Sequence, residues 1–342
     1  MTVKRRIIAL TLVLFIIPQA YAALYPGTDL TRLEFEMTGE PLIYSNYPET
    51  IYVEGLTQSG TKMDPRLCIN QLGVVNGIDY GIGRHFNKVP VKPGRNYTAE
   101  IYNGRTSSDL TSYTFGIAFL NESDAEANVN ILQSGQQESD LAGVVMMAID
   151  THKRFIHSST GSVPANKNPL LSYPRTVRLN PGEGKIVLFG KVNRINGYVN
   201  GRIRFNTDSE VTVLEFYMLT ETLEEELKNA GLNLTQDNLD SCNIYPVLSE
   251  IAEDDRRVLK LEEFPKYWTT TTAVLNYDTR TATFDAPAGT KFCLSNAGHI
   301  KGIRDLNENE YEYLKENDLG GFPVGENRIH DGNYSIIYDL TL

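Results

Sequence analysis

The sequence predicts a mainly β protein: an antiparallel β-sandwich with a packed helix insertion, followed by a smaller mixed α+β C-terminal region. Three observations carry this expectation. Short segments rich in Val, Ile, Tyr, Phe and Thr recur through the first two thirds of the chain, the composition that half-buried pleated surfaces prefer. Turn-forming clusters separate them. One segment, 139–155, abandons the period of two for the helical period.

In Leu33-Glu34-Phe35-Glu36-Met37 the apolar side chains fall on one face and the carboxylates on the other. Strict alternation is the pattern of a half-buried strand. Further strands are expected at 50–56, 96–102, 113–120, 127–132, 176–179, 185–189, 197–205 and 210–218. The breaks between them fall at Lys92-Pro93-Gly94, Asn103-Gly104, Asn180-Pro181-Gly182 and Asn196-Gly197. Several short strands at this spacing point to an antiparallel sandwich.

The segment 139–155 places Leu141, Val144, Val145, Ala148, Ile149 and His152 on one helical face, with Ser139 or Asp140 able to cap its start. A helix here covers a sheet edge or a sandwich end, which also blocks unwanted strand pairing. Composition changes near residue 219. Thr222-x-x-Glu225 reads as a capping box, with Gly231 suited to the other end of the same helix. Glu224 and Lys228 are ordered for an i, i+4 pair. An acidic stretch at 249–258 reads as helical. Strands are expected again at 273–277, 281–284, 291–294 and 334–342, with a short helix at 308–316. The implied division is a leader at 1–22, a β-sandwich at 23–218 and a mixed region at 219–342, whose last strand returns to the first sheet or closes a separate small domain.

The leader carries the clearest functional signal. Lys4, Arg5 and Arg6 precede an apolar run from Ile7 to Ile17, then Pro18 and the triplet Ala20-Tyr21-Ala22. This is the layout of a secretory signal peptide cleaved after Ala22. The run is shorter than the ~20 apolar residues that a membrane span needs. No cysteine stands directly after the cleavage point, and the last residues form no hydrophobic tail. The expected product is secreted, extracellular or cell-surface associated, with no transmembrane segment after cleavage.

The formal charge is −11 and becomes −14 once the three basic leader residues are removed. An acidic chain disfavours nucleic acid, whose affinity comes largely from Lys and Arg on phosphates, and disfavours anionic lipid. Cys68, Cys242 and Cys293 make an odd count, which allows one disulfide and a free thiol. Cys242 with Cys293 is the preferred pairing because both lie in the second half; three buried reduced thiols are the alternative. No C-x-x-C pair supports a zinc ribbon or a thioredoxin-like motif.

Three segments carry a family resemblance. They are Phe115-Gly116-Ile117-Ala118-Phe119-Leu120-Asn121-Glu122-Ser123 with the strand after it, Leu179-Asn180-Pro181-Gly182-Glu183-Gly184-Lys185-Ile186-Val187-Leu188, and Gly332-Asn333-Tyr334-Ser335-Ile336-Ile337-Tyr338. They resemble a strand–Asn–turn–strand hairpin, a Pro-Gly turn before a strand, and a closing strand in secreted β-sandwich proteins of Gram-positive bacteria, a group sometimes fused to copper-amine-oxidase-like N-terminal domains. The resemblance implies an extracellular sandwich. It transfers no catalytic residue, and no copper module is recognisable.

Candidate chemistry is sparse. His85, His152, His157, His299 and His330 form no H-E-x-x-H or other metalloprotease spacing. There is no G-x-S-x-G and no P-loop. A glycosidase needs two carboxylates across a cleft, but Glu34 and Glu36, and Glu224 to Glu226, read more simply as solvated faces. Asp305, Asn307, Asn309 and Glu316 occupy positions 1, 3, 5 and 12 of a calcium loop. Glu310 stands where the loop wants glycine, and residues 310–316 look helical, so a capped helix start competes with that reading. Calcium is thus the cofactor to consider. Tyrosines on strand faces and Trp268 offer stacking surfaces for sugars, or simply suit strands and core. Asn96, Asn121, Asn233 and Asn333 head N-x-S/T sequons, which matter where the host glycosylates asparagine.

Two functional classes follow. The first is a non-enzymatic extracellular binding or structural protein of the cell surface or matrix, partnered by an extracellular protein or polysaccharide. The alternative is a secreted polysaccharide hydrolase whose paired carboxylates converge only on folding.

Overall fold

The computed structural model describes residues 36–45, 50–52, 72–75, 77–106, 111–140, 143–158, 174–193, 196–253, 272–275, 279–283 and 337–341. In chain order these form β1 (Glu36–Thr38), β2 (Leu42–Ser45), β3 (Thr50–Tyr52), β4 (Val74–Val75), β5 (Ile78–Asp79), β6 (Gly83–Val91), β7 (Tyr97–Thr106), β8 (Tyr113–Leu120), β9 (Ala127–Asp140) and α1 (Val144–Ser158). Then come β10 (Arg175–Leu179), β11 (Gly184–Val192), β12 (Asn196–Thr207), β13 (Val211–Leu219), α2 (Thr220–Asn229), α3 (Gln236–Ser241), α4 (Tyr245–Ser249), β14 (Ala252–Glu253), β15 (Thr272–Leu275), β16 (Thr279–Thr283) and β17 (Ile337–Thr341).

The chain is mainly β, and it divides into two units. The larger holds Pro41–Val258 with Thr272–Val274. Its described strands form a large sheet, ordered β10-β9-β12-β7-β2-β15 with β3 also on β7, and a five-stranded sheet ordered β11-β8-β13-β6-β14. The two sheets pack against each other. Ala99, Ile101, Val129, Ile131, Val199, Ile203 and Phe205 of the large sheet meet Phe115, Ile117, Phe119, Val187, Leu188, Val213 and Tyr217 of the other in one buried core. Phe119 meets Phe205 edge-on at 4.8 Å between ring centroids.

Helices cover both outer faces. Leu223, Leu227, Leu239, Val247 and Leu248, from α2, α3 and α4, bury Leu214, Phe216, Met218, Ala118 and Ile186. With cover on both sides, every residue of β13 is buried, which is why its sequence reads as a nearly unbroken apolar run. On the large sheet, Met147 and Ala148 of α1 close over Tyr102 and Tyr198. In the smaller unit, β16 pairs antiparallel with β1 and parallel with β17.

The sheets are mixed rather than purely antiparallel. β2 and β3 run parallel to β7, and β14 parallel to β6. Parallel neighbours need a crossover connection. Between β2 and β7 the chain visits the other sheet as β6, which supplies that crossover. Likewise the 121–126 turn, expected to close a hairpin, carries the chain from β8 in one sheet to β9 in the other.

Several element boundaries move. Asn103-Gly104, expected as a turn, lies inside β7, where the Tyr198 ring lies so close over Gly104 that a Cβ there would meet it at 2.2 Å. β9 runs on to Asp140 through residues expected to begin the helix. α1 starts at Val144, with the Gly143 N–H donated to Asp140 Oδ1 at 3.0 Å. α2 begins at Thr220, not after a Thr222 cap. Thr220 is buried, and its hydroxyl lies 3.0 Å from that of Thr114, so a tertiary bond sets the start. Gly231 does end this helix: it has φ +74°, its N–H donates to Lys228 O and that of Leu232 to Leu227 O, a Schellman motif. Glu224 bonds Lys191 Nζ at 2.7 Å. The stretch expected as helix 249–258 gives only the end of α4 and the short β14, its last five residues lying outside the described set. The strand expected at 291–294 and the helix at 308–316 also lie outside the described residues.

Candidate functional site: the outer face of the large sheet

Period-two alternation divides the side chains of the large sheet between core and outer face. On β9, Val129 and Ile131 point into the core, so Asn128 and Asn130 point out. On β12, Val199, Ile203 and Phe205 point in, so Asn200, Arg202, Arg204 and Asn206 point out. On β7, Ala99 and Ile101 point in, leaving Thr98, Glu100 and Tyr102 outside. On β10, Thr176 and Arg178 alternate with buried Val177 and Leu179.

Register then brings four of these polar side chains into one row. Thr176 lies opposite Asn130, and Asn130 opposite Asn206. Asn206 reaches Asn96, the residue before β7. The Thr176 hydroxyl donates to Asn130 Oδ1 at 2.8 Å, Asn130 Nδ2 to Asn206 Oδ1 at 3.0 Å, and Asn206 Nδ2 to Asn96 Oδ1 at 3.0 Å. The bonds all run in one direction. Each of Asn130 and Asn206 uses one amide N–H and its carbonyl oxygen within the ladder, leaving its second N–H outside it. Strand spacing repeats these donors at about 4.8 Å. Beside the ladder, Asn128 donates both its backbone N–H and Nδ2 to Asp208, each at 2.8 Å. The backbone bond, more than the side-chain one, holds the Asp208 carboxyl below its ordinary range.

The other half of the same face lies under α1. There Glu100 and Arg202, opposed in register, form a buried ion pair at 3.1 Å. Asn200 Nδ2 donates to Glu100 Oε1 at 3.1 Å and to Ile101 O at 3.0 Å, and Thr151 Oγ1 donates to Asn200 O at 3.2 Å. The Arg202 guanidinium sits 5.0 Å from the Phe155 ring centroid. Burial pushes His152 below the ordinary histidine value; Glu100 works against this shift and Arg202 with it. Gly135 is what lets the helix come this near. A Cβ there would lie 2.2 Å from Thr151 O and 2.5 Å from Phe155 N.

Two buried carboxylates, Glu100 and Glu215, are committed internally. Glu215 is on the core side of β13 and accepts from Asn87 Nδ2 at 2.5 Å. A third acidic group, Asp240 on α3, joins the sheets at one edge. Arg175 of β10 bonds it at 2.5 Å and donates to Val187 O at 3.0 Å, while Gln236 Nε2 reaches Asp240 Oδ1 and Ile186 O. Burial pushes Asp240 up to about 6, against the pull of Arg175.

Of the residues singled out in the sequence, Asp305, Asn307, Asn309 and Glu316 lie outside the described residues, as do Glu34, Cys68, Trp268, Cys293, His299 and His330. Cys242 is half-buried, and burial followed by the nearby Glu226 raises its thiol. His152, itself on α1, lies beside the Glu100–Arg202 pair, whereas His157 is exposed at the helix end. Asn121 is fully buried, with Nδ2 on Ala125 O and Leu179 O and Oδ1 accepting from Ser123. Of the ladder asparagines the sequence marks only Asn96, as the head of a sequon; Asn130, Asn206 and the Glu100–Arg202 pair carry no motif. Their signal was present as asparagines alternating with core residues, since asparagine is otherwise depleted in strands.

Among the described residues no helix is long and apolar enough to cross a membrane. No protein-family model, curated protein or solved structure significantly matches the chain.

Proposed function

We propose that this chain is an exported, non-enzymatic binding or structural protein of the cell surface or matrix, and that its recognition face is the open outer half of the large sheet. One observation carries the reading: the Thr176–Asn130–Asn206–Asn96 ladder, a pre-ordered row of amides. A side chain already fixed by its neighbours loses little further entropy on binding. The amide N–H groups that the ladder leaves unused, at strand spacing, suit a ligand with oxygen acceptors along an extended chain, and a polysaccharide has that chemistry. The leader supports export, and the acidic balance of the chain disfavours phosphate polymers. The extracellular sandwich implied by the resemblance to secreted Gram-positive proteins agrees with such a role, with the outer face of the large sheet as the contact surface. The test is co-sedimentation of the full chain with insoluble polysaccharides and isolated cell envelopes. Saturable binding that Asn206→Ala abolishes supports the reading. Release of soluble sugar supports the hydrolase instead, and absence of binding to every polymer and envelope overturns the reading.

A further inference from the structure

β12 carries Asn206 of the ladder near one end, beside Asn96 just before β7, and further along these two strands lie the covered Tyr102, Tyr198, Asn200, Glu100 and Arg202. The covered half is polar in a way a permanent interface rarely is. Asn200 is fully buried, yet its Oδ1 has no hydrogen-bond partner among the described residues, and neither has His152 Nδ1. Each such group loses its bonds to water when α1 is down, at a cost. What holds the helix is largely polar: its buried apolar contacts are Met147 and Ala148 on two tyrosines, while Thr151 donates to Asn200 O, Arg154 to Gln136 O, the Ser134 N–H to Ser158 Oγ, and Arg202 lies over Phe155, bonds that water can replace when the helix lifts. Segments with few apolar contacts open at a fraction of the global free energy. The surface beneath is also preformed. The Tyr198 ring lies flat across Gly104, and Asn200 is pinned to the Glu100 carboxylate beside it.

We propose that α1 is a removable cover, and that the recognition face continues beneath it over Tyr102, Tyr198 and Asn200, so that a saccharide chain and the helix compete for the same strands. This rests on the reading of the open half as a recognition face. Aromatic rings take the C–H face of a sugar while amide and charged groups meet its hydroxyls. The open ladder makes the first contact, and the covered half extends the site when the helix lifts.

The experiment uses the full chain with hexameric β-1,4-glucan and chitin oligosaccharides as soluble probes. Amide exchange is followed over 144–158 and 196–207, and binding is compared for wild type, Gly135→Ala and Met147→Asp. Gly135→Ala removes the space for the helix; Met147→Asp places a charge under it without altering a strand residue. The expected results are exchange of 144–158 through an opening well short of global unfolding, and faster exchange there when a bound probe protects 196–207. The uncovered variants should also bind about tenfold tighter, because the closed state no longer taxes the affinity. Exchange of 144–158 only by global unfolding overturns the cover. So does a folded Met147→Asp that binds no tighter while Asn206→Ala still abolishes binding. If no variant binds either probe, the underlying recognition reading fails as well, which separates the two failures.

Discussion

Asn130 donates its side-chain amide to Asn206 across β9 and β12 at 3.0 Å, and Asn206 repeats the act toward Asn96. The two residues face each other in register on a surface whose opposite side is the shared core. Core packing therefore sets the spacing of the amides, and they set one another's orientation. The sheet supplies rigidity and the asparagines supply direction.

Replacing Asn206 by Ala removes two ladder bonds at a half-buried position. Each is worth roughly 1 kcal/mol net, so the loss expected from urea unfolding is about 1–2 kcal/mol with the fold retained. Binding should fall much further than stability. Equal retention on the polymer would show that the ladder is structural only.

Gly135→Ala forces a methyl group to within 2.2 Å of Thr151 O. Backbone cannot yield as a flexible side chain does, so the helix must shift. The expected cost is about 1–3 kcal/mol, the usual range for overpacking, and protection should be lost over 144–158 but not over 211–219. Unchanged protection of the helix would contradict the close contact.

The carboxyl of Asp240 holds a proton more readily in the folded chain, at about 6 against 3.8. The folded state therefore binds more protons between these values, and the stability from this group falls as pH rises from about 4 to about 6. The change is on the order of 1–3 kcal/mol. Urea midpoints at pH 4.5, 5.5 and 6.5 should show that decline in wild type relative to Asp240→Asn. Parallel profiles would count against it.

His152 titrates in the opposite sense. Its folded value is depressed, chiefly by burial, so its contribution is complete above about 6.5 and is lost as pH falls below that. Exchange over 144–158, corrected for intrinsic rates, should rise from pH 7.5 to 5.5 in wild type and less in His152→Gln. An identical rise in both would assign the effect elsewhere.

What could be read from the sequence follows from how each strand is covered. β8 was placed to the residue, because 113–120 is buried on both faces and bounded by polar turns. β6 was missed because its register shifts opposite Glu215 and Phe216, which breaks alternation around Phe86 and Asn87. It also carries Pro90, tolerated where β6 has β13 on one side and β14 only near Arg84. The second half of β9, Gln133 to Asp140, has no apolar alternation to read; it is a strand because β12 pairs with it. The ladder required register as well as pattern. Alternation puts Asn130 and Asn206 on outer faces, but only the pairing of β9 with β12 makes them neighbours.

The most direct test of the central claim is retention of the purified full chain on insoluble polysaccharide, wild type against the Asn130→Ala/Asn206→Ala double variant, with the fold of each verified by its unfolding transition. Wild type should be retained saturably with no release of soluble sugar, and the folded double variant should lose that retention. Undiminished retention of that variant, or release of soluble fragments by wild type, would contradict it.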